Sequence, residues 1–217
     1  MRYPSNKLLQ KSTLLLIFFI SLSSCKSNDK TKPNIILFMV DDMGWQDTSV
    51  PLWKEKTTFN NIYQTPNMER LANEGMKFTQ AYATPVCTPT RVSLISGMNA
   101  ARHRVTNWTL RRNKFMVNPP DGLQMPKWNL NGAQPTDSIE LAVHITPLPQ
   151  LLKDNGYETI HVGKAHFGAI GTPGEDPTNL GFNVNIAGHA AGAPGSYYGS
   201  NNFKKKIGED NIWDVPG

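Results

Sequence analysis

The sequence has little cysteine. Two residues, Cys25 and Cys87, occur in 217, so no framework of several disulfides holds the chain together, and at most one bridge could form in an oxidising compartment. It also lacks a long apolar run near its start. Residues 14–20 are apolar, well short of the ~20 that a membrane-spanning helix needs. No segment recurs at a fixed period, which excludes a repeat protein. Excess charge is small as well. The formal net charge is +5, but Arg2, Lys7 and Lys11 lie in the N-terminal segment with no acid among them, and without them it is +2 (5 minus 3). That balance gives no electrostatic case for nucleic-acid binding. The one basic run, residues 204–206, sits near Asn and Gly and reads as a solvated loop. What remains is an ordinary globular composition, 39% hydrophobic and 18% charged, in a chain long enough to bury a core.

A basic start, a short apolar centre and small residues after it describe a secretory signal over residues 1–24. Leu22-Ser23-Ser24-Cys25 resembles a bacterial lipobox, in which the Cys is lipidated and becomes the new N-terminus. An ordinary signal peptide or an uncleaved anchor would share the basic and apolar parts. The lipoprotein reading predicts an exported protein of the cell envelope or periplasm, tethered to the membrane by acyl chains on Cys25. Polar residues 25–32 would form the tether, and residues 33–217 the folded body. Cys87 is then without a partner. A lone thiol in an oxidising compartment is a liability unless it does chemistry.

The body opens with residues 34–40, a continuous apolar run with β-branched side chains. It predicts a strand buried on both faces of a parallel sheet, ending in Asp41-Asp42. Thr65-Pro66 predicts a helix start, with Thr as N-cap and Pro at the first position. Met68, Leu71 and Ala72 share a face of that helix, and Gly75 ends it. Residues 76–82 read as a strand or extended segment. A second helix opens just after Cys87 and runs to about Ser96. Residues 108–136 read as loops with room for a short hairpin, residues 147–155 as a helix, and residues 157–162 as a strand. Little regular structure is predicted after Gly168. Strands alternating with helices argue for an α/β fold, a mainly parallel sheet flanked by helices. In such folds ligands sit beyond the carboxyl ends of strands, where Asp41, Asp42, Lys164 and His166 all fall.

Each candidate group has a plain alternative. Adjacent carboxylates at the end of a buried strand repel each other, a conflict that a hard divalent cation resolves and a solvated turn avoids. A helix beginning at Cys87 aims N–H groups at its side chain, and Arg91, one turn on, can hold an oxyanion. A buried Cys before a Pro-started helix would look the same. Lys164 and His166, two apart, share one side of an extended segment, where Lys binds an anion and His moves a proton. A solvated turn would place them equally well. Arg102, His103, Arg104 and Trp108 line the mouth or are surface and packing residues.

Taken together, these blocks resemble one family. Cys87-Thr88-Pro89-Thr90-Arg91 resembles the Cys-x-Pro-x-Arg maturation motif of the sulfatases, in which a dedicated enzyme oxidises the Cys to formylglycine. The flanking residues 84–97 are similar across their length. So are Pro33-Asn34-Ile35-Ile36 leading into Asp41-Asp42-Met43-Gly44, and Gly163-Lys164-Ala165-His166-Phe167-Gly168, with Ala where the family usually has Trp. The resemblance covers residues 33–188. It implies an alkaline-phosphatase-like α/β domain and a sulfuric ester hydrolase acting on sulfated carbohydrates or aryl sulfates. It implies that Asp41 and Asp42 ligate a divalent cation, usually Ca²⁺, together with Cys87, which as hydrated formylglycine is also the nucleophile. Arg91 would steady the hydrate, Lys164 contact the sulfate, and His166 bond the formylglycine hydroxyl. One hydrate hydroxyl attacks sulfur and expels the alcohol. The second hydroxyl then loses its proton and ejects sulfate, a step that a plain Ser or Cys lacks.

The implied partners are a formylglycine-generating or anaerobic sulfatase-maturing enzyme and, through Cys25, the membrane. Family members are about twice as long and carry a further metal pair. Asp154-Asn155 and Asp210-Asn211 do not resemble it, so the expectation is a body truncated at its C-terminus, with little activity by itself. Two other readings share these residues: a phosphonate or phosphate ester hydrolase of the same superfamily, and a non-catalytic envelope protein that binds sulfated glycans.

Overall fold

The structure is a computed structural model that describes residues 31–126, 128–198 and 200. The expected signal at 1–24, Cys25 with most of the tether, the basic run at 204–206 and Asp210-Asn211 lie outside the described residues.

The chain divides into two compact units, residues 1–40 and residues 41–217. In the first unit, residues 34–40 form no strand, contrary to the sequence reading. Their apolar side chains are open to solvent, with Ile36 and Phe38 88% and 85% exposed. A strand exists through its ladder, and among the described residues nothing pairs with this run.

The second unit carries the site. Helix α1, Pro66–Glu74, starts where Thr65-Pro66 predicts. Thr65 does not cap it through its side chain, because its hydroxyl is taken by Ser49, at 2.8 Å from Ser49 Oγ and 3.0 Å from the Ser49 N–H. No residue of α1 is buried, and residues 76–82 are neither strand nor covered. Helix α2, Cys87–Ser96, matches its predicted span and ends at Gly97, whose φ of 67° suits a residue without Cβ. Its N-terminus is stitched by Thr90, whose hydroxyl meets the Thr84 hydroxyl at 2.6 Å and donates to the Val86 carbonyl. A short helix α3, Ala100–His103, follows, capped by Asn99.

Strands β1, Ala133–Gln134, and β2, Val143–His144, pair in parallel. Helix α4, Leu148–Asp154, then leads to β3, Ile160–Val162, which pairs in parallel with β4, Val184–Ile186. Every strand pair among the described residues is thus parallel, as expected of an α/β fold, but the strands form two short pairs rather than one broad sheet. The core joins Val92 and Ile95 of α2 to Val105, Ala133, Ile145, Ala165, Phe167 and Leu180. Gln134 of β1 ties that strand to residues 172–174. Its buried amide donates to the Asn131 carbonyl and the Thr172 hydroxyl and accepts from the Gly174 N–H, all within 2.9 Å, so little of its hydrogen-bonding capacity is stranded.

Candidate active site

Helix α2 carries Cys87 as its first residue and Arg91 one turn later on the same face. Cys87 is half-buried and forms no disulfide. Arg91 is almost fully buried, and its guanidinium uses its fork in two directions. Nη1 donates to the Lys164 carbonyl at 2.5 Å and Nη2 to Asp41 Oδ1 at 3.3 Å. Lys164 Nζ donates to the other Asp41 oxygen at 2.5 Å. Residues from three distant parts of the chain therefore meet at one carboxylate. Partial burial pushes the Asp41 pKa up, but the Lys164 ammonium and the Arg91 guanidinium outweigh it and hold the group below the ordinary carboxylate range.

Asp41 and Lys164 border a cavity of about 290 Å³. Much of the remaining wall is built from small residues, Ala187, Ala191 and Gly192 among them, together with Tyr197. Hydrogen bonds hold that wall in place. Asn185 brackets the turn, accepting from the Gly188 N–H and donating to the Gly188 carbonyl. His189 accepts from the Ala191 N–H through Nδ1, which leaves Nε2 to face Glu175 at 3.1 Å. The His166 N–H donates to the His189 carbonyl at 2.9 Å. The sequence reading assigned this wall no role. Its signal was the stretch 187–195, in which seven of nine residues are Ala or Gly, since only small side chains leave room beside a site.

His166 departs from expectation. Gly163 has φ of 89° and His166 φ of 55°, so the segment after β3 is not extended and the two-residue alternation fails. Lys164 turns to Asp41, while the His166 ring is 1% exposed. Its Nε2 lies 2.6 Å from the Thr109 carbonyl. A carbonyl only accepts, so Nε2 carries the proton and Nδ1 bears the lone pair. That Nδ1 is buried without a partner, and a Cβ placed on Gly192 would lie 3.2 Å from it. Burial pushes the His166 pKa down to about 4, with Lys164 and Arg91 adding to the fall and the Thr109 carbonyl opposing it. The ring is therefore neutral at physiological pH, with an unused acceptor beside the cavity wall.

Asp42 is exposed, with φ of 54°, a turn geometry that Asp tolerates. Asp41 and Asp42 are hard oxygen donors and fit a hard divalent cation in kind. They do not fill its six to eight positions, and no cluster of three or more His, Cys, Asp or Glu occurs among the described residues. Of the residues suggested for the mouth, His103 is fully buried, its Nδ1 accepting from the Val105 N–H and its Nε2 meeting Ser93 Oγ at 2.9 Å. It is a packing residue. Arg102 and Arg104 are exposed, and none of these three borders the cavity. Trp108 lies 6.5 Å from His166, ring to ring.

Residues 33–210 match the family model described as Sulfatase. The chain is 35% identical to steryl-sulfatase of Homo sapiens over 159 residues, 73% of this chain and 23% of that protein. It is 35% identical to a sulfatase of Formosa agariphila over 178 residues, 79% of this chain and 29% of that protein. It is 30% identical to N-acetylgalactosamine-6-sulfatase of Rattus norvegicus over 208 residues, 94% of this chain and 34% of that protein. The chain thus spans 23% to 34% of the length of these relatives. Proteins of the matched family generally use formylglycine and a divalent cation. Since the match runs through all three motif blocks, from Asp41 and Cys87 to His166, this chain belongs to the sulfatase family.

Proposed function

We propose that the whole protein hydrolyses sulfate esters of carbohydrates. The observation that supports this most is the meeting of Arg91 and Lys164 at Asp41 beside a cavity, because Arg91 belongs to the Cys-x-Pro-x-Arg helix that begins with Cys87. Lys164 borders the cavity and offers a cationic donor to a sulfate oxygen, where negative charge builds as the ester bond breaks. Arg91 orients it by holding its carbonyl and sharing its counter-ion. His166 carries a neutral Nδ1 lone pair behind Gly192, which would accept a hydrogen bond from a hydroxyl that reaches it; with a pKa of about 4 it is an acceptor rather than a base near neutrality. Oxidised to formylglycine and hydrated, Cys87 would supply the attacking hydroxyl. Asp41, Asp42 and that oxidised side chain would contribute ligands to a divalent cation, Ca²⁺ in this proposal, which would neutralise sulfate oxygens.

The name of the N-acetylgalactosamine-6-sulfatase relative favours a sulfated sugar, and Tyr197, which also lines the cavity, would be available to stack on such a ring. The proposal extends to maturation by a formylglycine-generating or anaerobic sulfatase-maturing enzyme, and to export with a lipid anchor at Cys25. The test is the mass of the peptide spanning Cys87 in protein from its native host, paired with turnover of aryl sulfate, sulfated N-acetylgalactosamine and a phosphonate ester. Formylglycine with preference for the sulfated sugar supports the proposal. An unmodified Cys87 with retained binding of sulfated glycans would replace it with the non-catalytic reading, and preference for the phosphonate with the hydrolase reading.

A further inference from the structure

Within the Cys-x-Pro-x-Arg turn, Cys87, Arg91 and Thr90 all have evident tasks, but Thr88 has none so far. It is fully buried, and its hydroxyl accepts the backbone N–H of Thr109 at 3.1 Å. Thr109 is the residue whose carbonyl receives the His166 Nε2–H at 2.6 Å. Thr88, Thr109 and His166 are each at most 2% exposed, so water does not substitute easily for either bond. Residue 109 is fixed on its other side, where the Leu110 carbonyl accepts from the Ile170 N–H at 2.7 Å. Thr88 supplies the remaining restraint. A short, well-directed carbonyl is what decides which nitrogen of a neutral imidazole keeps the proton.

We propose that Thr88 is a positioning residue for His166: by holding the Thr109 backbone it keeps the His166 proton on Nε2 and leaves the Nδ1 lone pair beside Gly192 at the cavity wall. One turn of α2 then sets three parts of the site. It presents Cys87, aims Arg91 at Lys164 and Asp41, and orients His166 through Thr109. The inference rests on reading His166 as part of the site, but its test does not depend on turnover.

The test follows the ring N–H protons of the 217-residue chain by NMR, in the parent, in Thr88→Val and in Thr88→Ser. His103 is the internal control, because its Nε2–H is directed to Ser93 of the same helix and does not touch Thr109. Valine keeps the shape of threonine but removes the acceptor, and the exchange of the His166 Nε2–H should rise by about tenfold, as loss of a buried hydrogen bond implies. The His103 signal should not change, and serine should restore protection at His166. Unchanged His166 exchange in Thr88→Val would overturn the proposal. So would equal loss at His103, which would mean that Thr88 supports the helix as a whole, and so would failure of serine to rescue. Absence of sulfatase activity in the parent would bear on the proposed function and leave this result intact.

Discussion

Replacing His166 with glutamine should reduce the acid sensitivity of this fold. The parent ring is buried against the Thr109 carbonyl, with Lys164 and Arg91 nearby, and its pKa is about 4 against an ordinary 6.5. Below 6.5 the unfolded chain takes up a proton that the folded chain refuses. Stability is therefore complete above 6.5 and declines as pH falls toward 4. At about 1.4 kcal/mol per pH unit, the interval costs about 3 kcal/mol. Burial lowers His103 and His161 too, so the parent loses more than one proton's worth across this range. Glutamine keeps a donor for the Thr109 carbonyl but does not titrate. The assay is urea unfolding near neutrality and again at about pH 4.5, where the parent should lose roughly 2–3 kcal/mol more than His166→Gln. Equal losses in the two proteins would show that His166 is not the buried neutral imidazole described above.

Asp41→Asn should leave Lys164 and Arg91 without their shared counter-ion and strengthen binding of inorganic sulfate in metal-free buffer. Asp41 is partly exposed, so a modest two- to fivefold gain is expected by calorimetry; weaker binding would refute the assignment of these cations to the anion site. Gly132→Ala should destabilise the junction between β1 and the Phe167 segment. The position has φ of 68°, and a Cβ would lie 2.2 Å from the Phe167 carbonyl oxygen, so a cost of about 2 kcal/mol or more is expected, read as a fall in Tm of several degrees. Arg91→Lys cannot reach both the Lys164 carbonyl and Asp41 as the planar fork does. A loss of about 1–3 kcal/mol in the denaturant midpoint should follow, and an unchanged midpoint would argue that the fork is dispensable.

Some of this was legible in the residues themselves. Helix α2 could be read from Cys87 to Gly97 because a Pro in its first turn and a Gly past its end both act locally. Helix α4 and the location of β3 followed from similarly local signals. β1, β2 and β4 were not legible, because strands of two or three residues are too short to display an alternation. The strand expected at 34–40 failed for the opposite reason. Its composition suits a buried strand, but composition does not supply a ladder partner. The strand-end positions of Asp41 and Lys164 hinted that they converge, but the sharing of the Asp41 carboxylate by Arg91 and Lys164 was not read from the sequence. Nor was the burial of His166, because its side follows from two left-handed residues, at 163 and 166, that no two-residue period describes. The small-residue wall at 187–193 was overlooked because its contribution is the space it leaves free.

The ion cluster also has a consequence for which anions it suits. Arg91 and Lys164 carry two positive charges and Asp41 one negative, while His166 stays neutral well below physiological pH. These four groups leave a surplus of one positive charge. A sulfate monoester carries a single negative charge and would balance that surplus as it binds. A phosphate monoester near neutrality carries closer to two, so the same cluster would hold an unmatched negative charge beside Asp41. In the metal-free chain, discrimination between two nearly isosteric tetrahedral groups would then arise from valence, a preference that Asp42 and a bound divalent cation, together adding one further positive charge, would remove.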